Sequence, residues 1–142
     1  PEAQMRQGLR LWQSAGTPMN CKLTSEKAHS GKFSVLFWDT NRATVLESIS
    51  AEAKQVFKLS VWLNHNEGGA EYEVVAIPRS SKRMLSRSTI PVPRKPGEWQ
   101  HVEFSFTAPP ETKTLGLYVF AHRQSPGAKI WVDDFFIGRY PD

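Results

Sequence analysis

Two adjacent carboxylates lie within an apolar stretch near the end of the chain. Asp133 and Asp134 separate the segments 130–132 (IWV) and 135–137 (FFI). A carboxylate among apolar neighbours must be paired, hydrogen-bonded or bound to a cation, because burying an unpaired charge is costly. We therefore expect one of the two acids to point into a buried site and to bind a cation or a basic side chain there.

A second group of residues could bind a flat, hydroxyl-rich ligand such as a sugar. Aromatic residues occupy the outward-facing positions of several alternating segments: Trp38, Trp62, Tyr118 and Phe120. If these segments share one sheet, its outer surface carries an aromatic patch larger than a solvated face normally shows. The polar side chains expected to contact ligand hydroxyls beside this patch are Asn64, Glu73, His122 and Arg123. Trp99 and Trp131 are expected to pack in the core or at its rim.

The usual catalytic motifs are absent from the sequence. It contains no nucleophile elbow, HExxH motif, glycine-rich phosphate loop or paired-cysteine zinc spacing. The four histidines are far apart, and none is paired at metal-ligand spacing. Cys21 is the single cysteine, which excludes an internal disulfide. We therefore expect a binding protein with no catalytic residues.

The basic residues are concentrated in one segment. The chain has a formal net charge of +4, and between Arg79 and Lys95 it carries six basic residues and no acid. One interpretation is a pair of solvated loops. The other is a contact for an anionic partner, such as a glycan that bears uronate or sulfate groups.

Length and composition predict one domain over residues 1–142. Hydrophobic residues make up 39% of the chain and aromatic residues 11%, which excludes a disordered protein. No apolar run approaches the roughly 20 residues needed to cross a bilayer. Because Pro1-Glu2 gives no signal-like start, we expect a module from a longer protein.

Period-two alternation recurs along the chain and predicts strands buried on one side. Clear examples are 57–63, 72–77, 102–106 and 115–121, separated by turn signals such as Asn66-Glu67-Gly68-Gly69 and Ser125-Pro126-Gly127. An edge strand is expected at 88–92, and 51–55 could form a single helical turn or a connection. Many short strands without a long helix indicate an all-β fold, an antiparallel β-sandwich.

The ordered set of motifs resembles the carbohydrate-binding modules of the galactose-binding-like jelly-roll group, families four, nine, sixteen and twenty-two. The resemblance rests on the opening Pro1-Glu2 followed by Trp12, the turn and strand 28–35 (AHSGKFSV), the strand 56–63 (VFKLSVWL) and the closing 130–137 (IWVDDFFI). It implies a jelly-roll sandwich and a connection rather than a helix at 51–55. It also implies a module that binds a polysaccharide or oligosaccharide and accompanies the catalytic domain of a secreted glycoside hydrolase.

The same resemblance implies a structural calcium ion. Modules of this group hold Ca²⁺ between the opening strand, the SGK turn and the closing Asp. Matched to this chain, the ligands are Glu2, main-chain carbonyls near Ser30 or Lys32, and Asp133, with Asp134 as the second choice. The residues alone leave an alternative, a salt bridge from the acid to Lys32 or Arg10.

We therefore expect an extracellular or cell-surface module, monomeric in isolation, that binds a plant or algal glycan. The basic segment mildly favours an acidic one. The main alternative is a structural or protein-interaction sandwich whose aromatic patch packs on a neighbouring domain of the parent chain. A nucleic-acid partner would be expected to show steep salt dependence, and no recognised motif supports one. No membrane association is expected.

Overall fold

The structure, a computed structural model, describes residues 10–13, 21–25, 27, 29, 34–38, 43–67, 72–121 and 127–139. Within these ranges the chain forms ten β-strands and no helix. Sheet A contains, in spatial order, β1 (Arg10–Gln13), β4 (Ala43–Ser50), β9 (Thr114–Ala121), β6 (Tyr72–Arg79) and β7 (Ser88–Ile90). Sheet B contains β2 (Cys21–Thr24), β3 (Ser34–Trp38), β10 (Lys129–Arg139), β5 (Val56–His65) and β8 (Gln100–Thr107). All neighbouring strands are antiparallel.

The hydrophobic core lies between the two sheets and is built from the alternating positions of the central strands. Alternate residues of β5 point inward and are fully buried: Phe57, Leu59, Val61 and Leu63. The facing positions of sheet A are equally buried: Leu115, Leu117 and Val119 on β9, and Val74 and Ala76 on β6. Burying one such large aliphatic or aromatic side chain contributes about 1.5–3 kcal/mol relative to leaving it exposed. The alternation therefore accounts for both the strands and the layer that they enclose.

The long central strand β10 changes its alternation at a β-bulge. Asp133 lies opposite Trp62 of β5, but the next paired residue is Phe136, opposite Ser60, so that β10 has one residue more than β5 over this stretch. Asp134 lies within this bulge, and its φ of 48° is in the left-handed region. The bulge explains why two acids are adjacent in an apolar strand, because it keeps the apolar residues on both sides in register with the core.

The predicted all-β antiparallel sandwich is confirmed. Most strands run within two residues of the expected bounds, and the expected edge strand at 88–92 is observed as Ser88–Ile90. Residues 51–55 form a turn closed by a hydrogen bond from the Gln55 main-chain N–H to the Glu52 carbonyl, not a helix. Among the described residues, none belongs to a helix of the length and hydrophobicity that a membrane span requires.

Candidate functional site

The outer face of sheet A carries two stacked aromatic rings. Tyr118 and Phe120 occupy successive outward positions of β9, with ring centroids 5.3 Å apart and planes inclined by 6°. The Tyr118 ring lies directly over Gly116, where an added Cβ would come within 2.6 Å of the ring carbon Cε1. Both rings are partly exposed. Glycine at position 116 therefore lets the tyrosine ring lie close to the sheet.

An ion pair lies beside these rings. Glu73 of β6 is in register with Phe120, so the two side chains share the outer face. The Arg87 guanidinium donates a hydrogen bond to the Glu73 carboxylate, and its carbon Cζ lies 5.1 Å from the centroid of the Phe120 ring. We call the set Tyr118, Phe120, Glu73 and Arg87 the sheet A platform.

The sheet A platform combines the two kinds of group that a sugar requires. Aromatic planes can pack against the C–H faces of a pyranose ring, a contact that is mainly apolar. The carboxylate of Glu73 accepts hydrogen bonds, whereas the guanidinium of Arg87 donates them in a planar fork. Three of these residues, Tyr118, Phe120 and Glu73, were expected from the sequence to contact ligand, and the fold brings them together on one face.

The expectation of a single patch that also includes Trp38 and Trp62 is wrong. Both tryptophans belong to strands of sheet B, whereas Tyr118 and Phe120 belong to sheet A. Trp38 lies opposite Lys129 at the end of β3. Alternation distinguishes the two sides of a strand, but it does not specify the sheet to which the strand belongs. The outward aromatic residues are thus divided between the two outer surfaces of the sandwich.

Trp62 is enclosed between two imidazole rings. The ring of His29 lies 3.7 Å from it, centroid to centroid, and the ring of His101 lies 4.5 Å from it, with interplanar angles of 14° and 8°. Trp99 contacts His29 edge-on at 5.8 Å. Because His29 and His101 both stack on the indole, Trp62 does not present the open plane that a stacked sugar would need.

Asn64 also lies on sheet B, apart from the sheet A platform. Its exposed fraction is only 2%, and it is paired in register with Trp131 of β10, which is also buried at 2%. The expected contacts His122 and Arg123 lie outside the described residues.

The Asp133 carboxylate does have a buried structural role. Only 4% of Asp133 is exposed, and its two oxygens accept hydrogen bonds from the main-chain N–H groups of His29 and Asp134, each at 2.8 Å. Asp134 contacts the His29 ring nitrogen Nδ1 at 2.6 Å. Together these bonds attach the segment around His29 to the closing strand.

The described part of the expected calcium site contains only two of its ligands. Glu2, Ser30 and Lys32 lie outside the described residues. Within the described ranges, no cluster of three or more histidine, cysteine or acidic residues is arranged to hold a metal ion. The carboxylate oxygens of Asp133 and Asp134 are of the kind that a hard cation prefers.

Three of the six basic residues in segment 79–95 contact other residues of the domain. Arg87 pairs with Glu73, Arg83 lies 3.2 Å from Glu111, and Arg94 stacks 4.3 Å from the Tyr72 ring centroid while donating to the Tyr72 carbonyl. These contacts give the three arginines structural partners. All three arginines nonetheless remain exposed, which agrees with the interpretation as solvated loops.

Sequence reasoning missed Arg87, Gly116 and the two histidines as site-forming residues. Arg87 was visible only as one of six basic residues, and no local signal indicates that an arginine just before the edge strand β7 reaches Phe120. Gly116 lies two positions before Tyr118 on the same face of β9. A glycine at this spacing could have indicated that the tyrosine ring lies close to the backbone. The stacking of His101 follows from the register of β5 with β8, which the sequence does not specify.

The sandwich of two five-stranded antiparallel sheets is similar in fold to solved carbohydrate-binding modules. Among solved structures, a family 16 carbohydrate-binding module matches 87% of this chain and 91% of its own, with a TM-score of 0.67 and 12% identity. The xylan-binding family 22 module of Paenibacillus barcinonensis Xyn10C matches 94% of this chain and 86% of its own, with a TM-score of 0.65 and 16% identity.

Another similar structure contains a catalytic domain as well. The CBM22-1–GH10 portion of Clostridium thermocellum endo-1,4-β-D-xylanase 10B, solved with xylohexaose, matches 94% of this chain but only 26% of its own length. Its TM-score is 0.67 and its identity 15%. No protein-family model matches the chain, and no curated protein does. At these identities the likeness establishes the fold.

Proposed function

We propose that this protein is a non-catalytic carbohydrate-binding module that binds a plant or algal glycan through the sheet A platform. The observation that carries the proposal is the pair of partly exposed parallel rings, Tyr118 and Phe120, beside a hydrogen-bonding Glu73–Arg87 pair. Several solved structures with this fold are carbohydrate-binding modules, which supports the same role.

The expected affinity follows from the size of the platform. Covering one aromatic face with a sugar removes on the order of 100 Å² from water, worth about 2 kcal/mol before association costs. Contact with the exposed parts of these rings, together with a few hydrogen bonds, corresponds to dissociation constants in the roughly micromolar to millimolar range. Binding of this strength suits a module that keeps an attached catalytic domain near a polymer by raising its local concentration.

In its biological setting the module would be monomeric and extracellular, attached to a polysaccharide-degrading enzyme. The tethered enzyme would rebind its substrate each time a single contact is released. The main competing role is packing on a neighbouring domain of the parent chain, and the two roles predict different behaviour of the isolated module. A packing surface would give concentration-dependent self-association and no glycan binding.

The proposal is tested by affinity gel electrophoresis against a panel of neutral and acidic plant and algal polysaccharides. We expect retardation by at least one of them, and Tyr118→Ala should weaken that binding about 30-fold, the equivalent of the roughly 2 kcal/mol lost with one ring face. Phe136→Ala is the matched control, because Phe136 is an aromatic residue 44% exposed on the opposite sheet. Equal retardation of wild type and Tyr118→Ala would contradict the proposal.

We also propose that Asp133 and Asp134 contribute to a structural calcium site with Glu2 and the main chain near Ser30 and Lys32. Calcium would connect the N-terminal segment to β10. We expect EDTA to lower the melting temperature and added Ca²⁺ to restore it, as for any ligand that binds only the folded state. An identical melt with and without EDTA would contradict the calcium proposal and leave the glycan proposal intact.

A further inference from the structure

A cavity of about 460 Å³ opens at one end of the sandwich, apart from the sheet A platform. Its walls come from the β4–β5 connection, the β8–β9 connection and the end of β10. Thr114, the first residue of β9 beyond the cavity, is four residues from Tyr118, or about 13 Å along an extended strand. A volume of this size falls within the roughly 300–1,000 Å³ usual for small-molecule sites.

The walls of the cavity are held in place by main-chain hydrogen bonds between the two connections. The Ala51 N–H donates to the Lys113 carbonyl at 2.9 Å, and the Lys54 N–H donates to the Ala108 carbonyl at 2.8 Å. The Lys113 N–H in turn donates to the Arg79 carbonyl at 2.7 Å. These bonds fix the shape of the cavity before any ligand enters, which lowers the ordering cost of binding.

The backbone of both connections also adopts an unusual conformation. Lys54 and Glu111 have φ values of 70° and 73°, in the left-handed region that residues other than glycine seldom occupy. Thr112, only 3% exposed, donates through its hydroxyl to the Pro109 carbonyl at 2.7 Å and supports the turn that contains Glu111. The surrounding bonds thus maintain a loop shape that is locally unfavourable.

The lining is charged and contains no aromatic residue. Four of its side chains are ionisable: Glu52, Glu111, Lys113 and Arg139. Glu111 is already paired with Arg83 at 3.2 Å, whereas Lys113 makes no ion pair among the described residues. The lining itself carries two acids and two bases, and Arg83 beside Glu111 adds a third positive charge, so that the groups at the cavity have an excess of one positive charge.

We propose that this cavity binds a uronate residue of the glycan, with the sugar carboxylate at Lys113 and Arg139 and a hydroxyl at Glu52. The excess positive charge favours a ligand with one negative charge, and charge-assisted hydrogen bonds are stronger than neutral ones. Without aromatic planes, the cavity recognises hydrogen-bonding groups rather than ring faces. The inference rests on the proposed function, since it assigns a second contact to the same class of ligand.

The test is an NMR titration of the isotope-labelled chain with sodium D-galacturonate and sodium D-glucuronate. We expect amide shifts within 51–54 and 111–113 for at least one of the uronates. Lys113→Ala should weaken this binding about tenfold, as expected for losing a hydrogen bond to a charged group. Lys95→Ala, which removes the same charge from an exposed lysine at the other end of the sandwich, should leave it unchanged.

Further ligands and one further variant separate this inference from the proposed function. D-galactose, D-glucose and sodium acetate should not shift the cavity amides; equal shifts by any of them would overturn a uronate site. Uronate shifts confined to the sheet A platform, or absent altogether, would also overturn it. Tyr118→Ala should weaken polymer retardation while keeping the uronate shifts at the cavity. If the wild-type protein binds polymer but binds no uronate at the cavity, the uronate site is overturned and the proposed glycan-binding function stands.

Discussion

The two outer faces of the sandwich use aromatic residues for different purposes. On sheet B, Trp62 is enclosed by His29 and His101, so that its planes contribute to cohesion between strands and segments. On sheet A, Tyr118 and Phe120 stack on each other beside the Glu73–Arg87 pair and remain partly exposed. The comparison teaches that an outward position does not by itself make an aromatic residue a binding candidate, because the neighbouring side chains decide how much of its ring stays exposed.

Apart from changes in ligand binding, the largest difference between the two faces is expected in stability. Trp62→Ala should show it. Removing the indole leaves both imidazoles without their stacking partner and should cost about 2 kcal/mol, less than a fully buried tryptophan because Trp62 is partly exposed. Thermal or urea unfolding measures the loss, and His101→Ala should show a smaller one. Glycan affinity of the folded variant should be unchanged; a selective loss of affinity would place the binding site on sheet B.

A smaller effect on affinity is expected from Gly116→Ala, which touches no ligand. The new Cβ would overlap the Tyr118 ring, with Cε1 only 2.6 Å away, and the ring must swing off the sheet. Because the displaced atoms belong to a side chain, the fold should persist while glycan binding weakens a few-fold. Gly97→Ala is the matched control for chain stiffening, since a Cβ there meets no atom within 4 Å, although its φ of 83° adds local strain. Unaltered affinity in Gly116→Ala would argue that the ring position does not matter.

The smallest effect concerns a histidine between the two faces. His65 is 1% exposed, its Nδ1 lies 3.1 Å from the Tyr72 hydroxyl, and its Nε2 has no hydrogen-bond partner among the described residues. Burial lowers the pKa of His65 below its ordinary value of 6.5, and the nearby Arg94 guanidinium lowers it further. The folded state therefore favours neutral imidazole.

The sign of the pH dependence follows from this depressed pKa. The unfolded chain binds a proton at His65 more readily than the folded one, so acidification favours unfolding. The free energy of unfolding should be at its full value above about pH 6.5 and fall as the pH drops below it toward the folded-state pKa. Urea unfolding between pH 7.5 and pH 5 measures the slope, and His65→Gln should flatten it. An equal slope in both proteins would assign the effect to other groups.

Much of the fold could be predicted from the sequence because alternation reports burial directly. Phe57, Leu59, Val61 and Leu63 were expected to point inward, and all four are fully buried. The sheet to which each strand belongs could not be predicted, since it depends on long-range pairing. That is why Trp62 and Tyr118 were expected on one surface and lie on two.

The candidate site was predictable only in part for the same reason. Tyr118, Phe120 and Glu73 were identified because they alternate with buried residues on their own strands. Arg87, the residue just before the edge strand β7, joins them through a side-chain contact that no local pattern reveals. The bulge at Asp134 was equally hidden, because its left-handed backbone carries an acid where glycine would have been a clear signal.

The most direct test of the account is an NMR titration of the whole chain with an oligosaccharide of the polymer identified on affinity gels. The account predicts amide and side-chain shifts concentrated at Tyr118, Phe120, Glu73 and Arg87 on sheet A. Shifts concentrated at Trp62, His101 and the rest of sheet B, with sheet A unaffected, would contradict it.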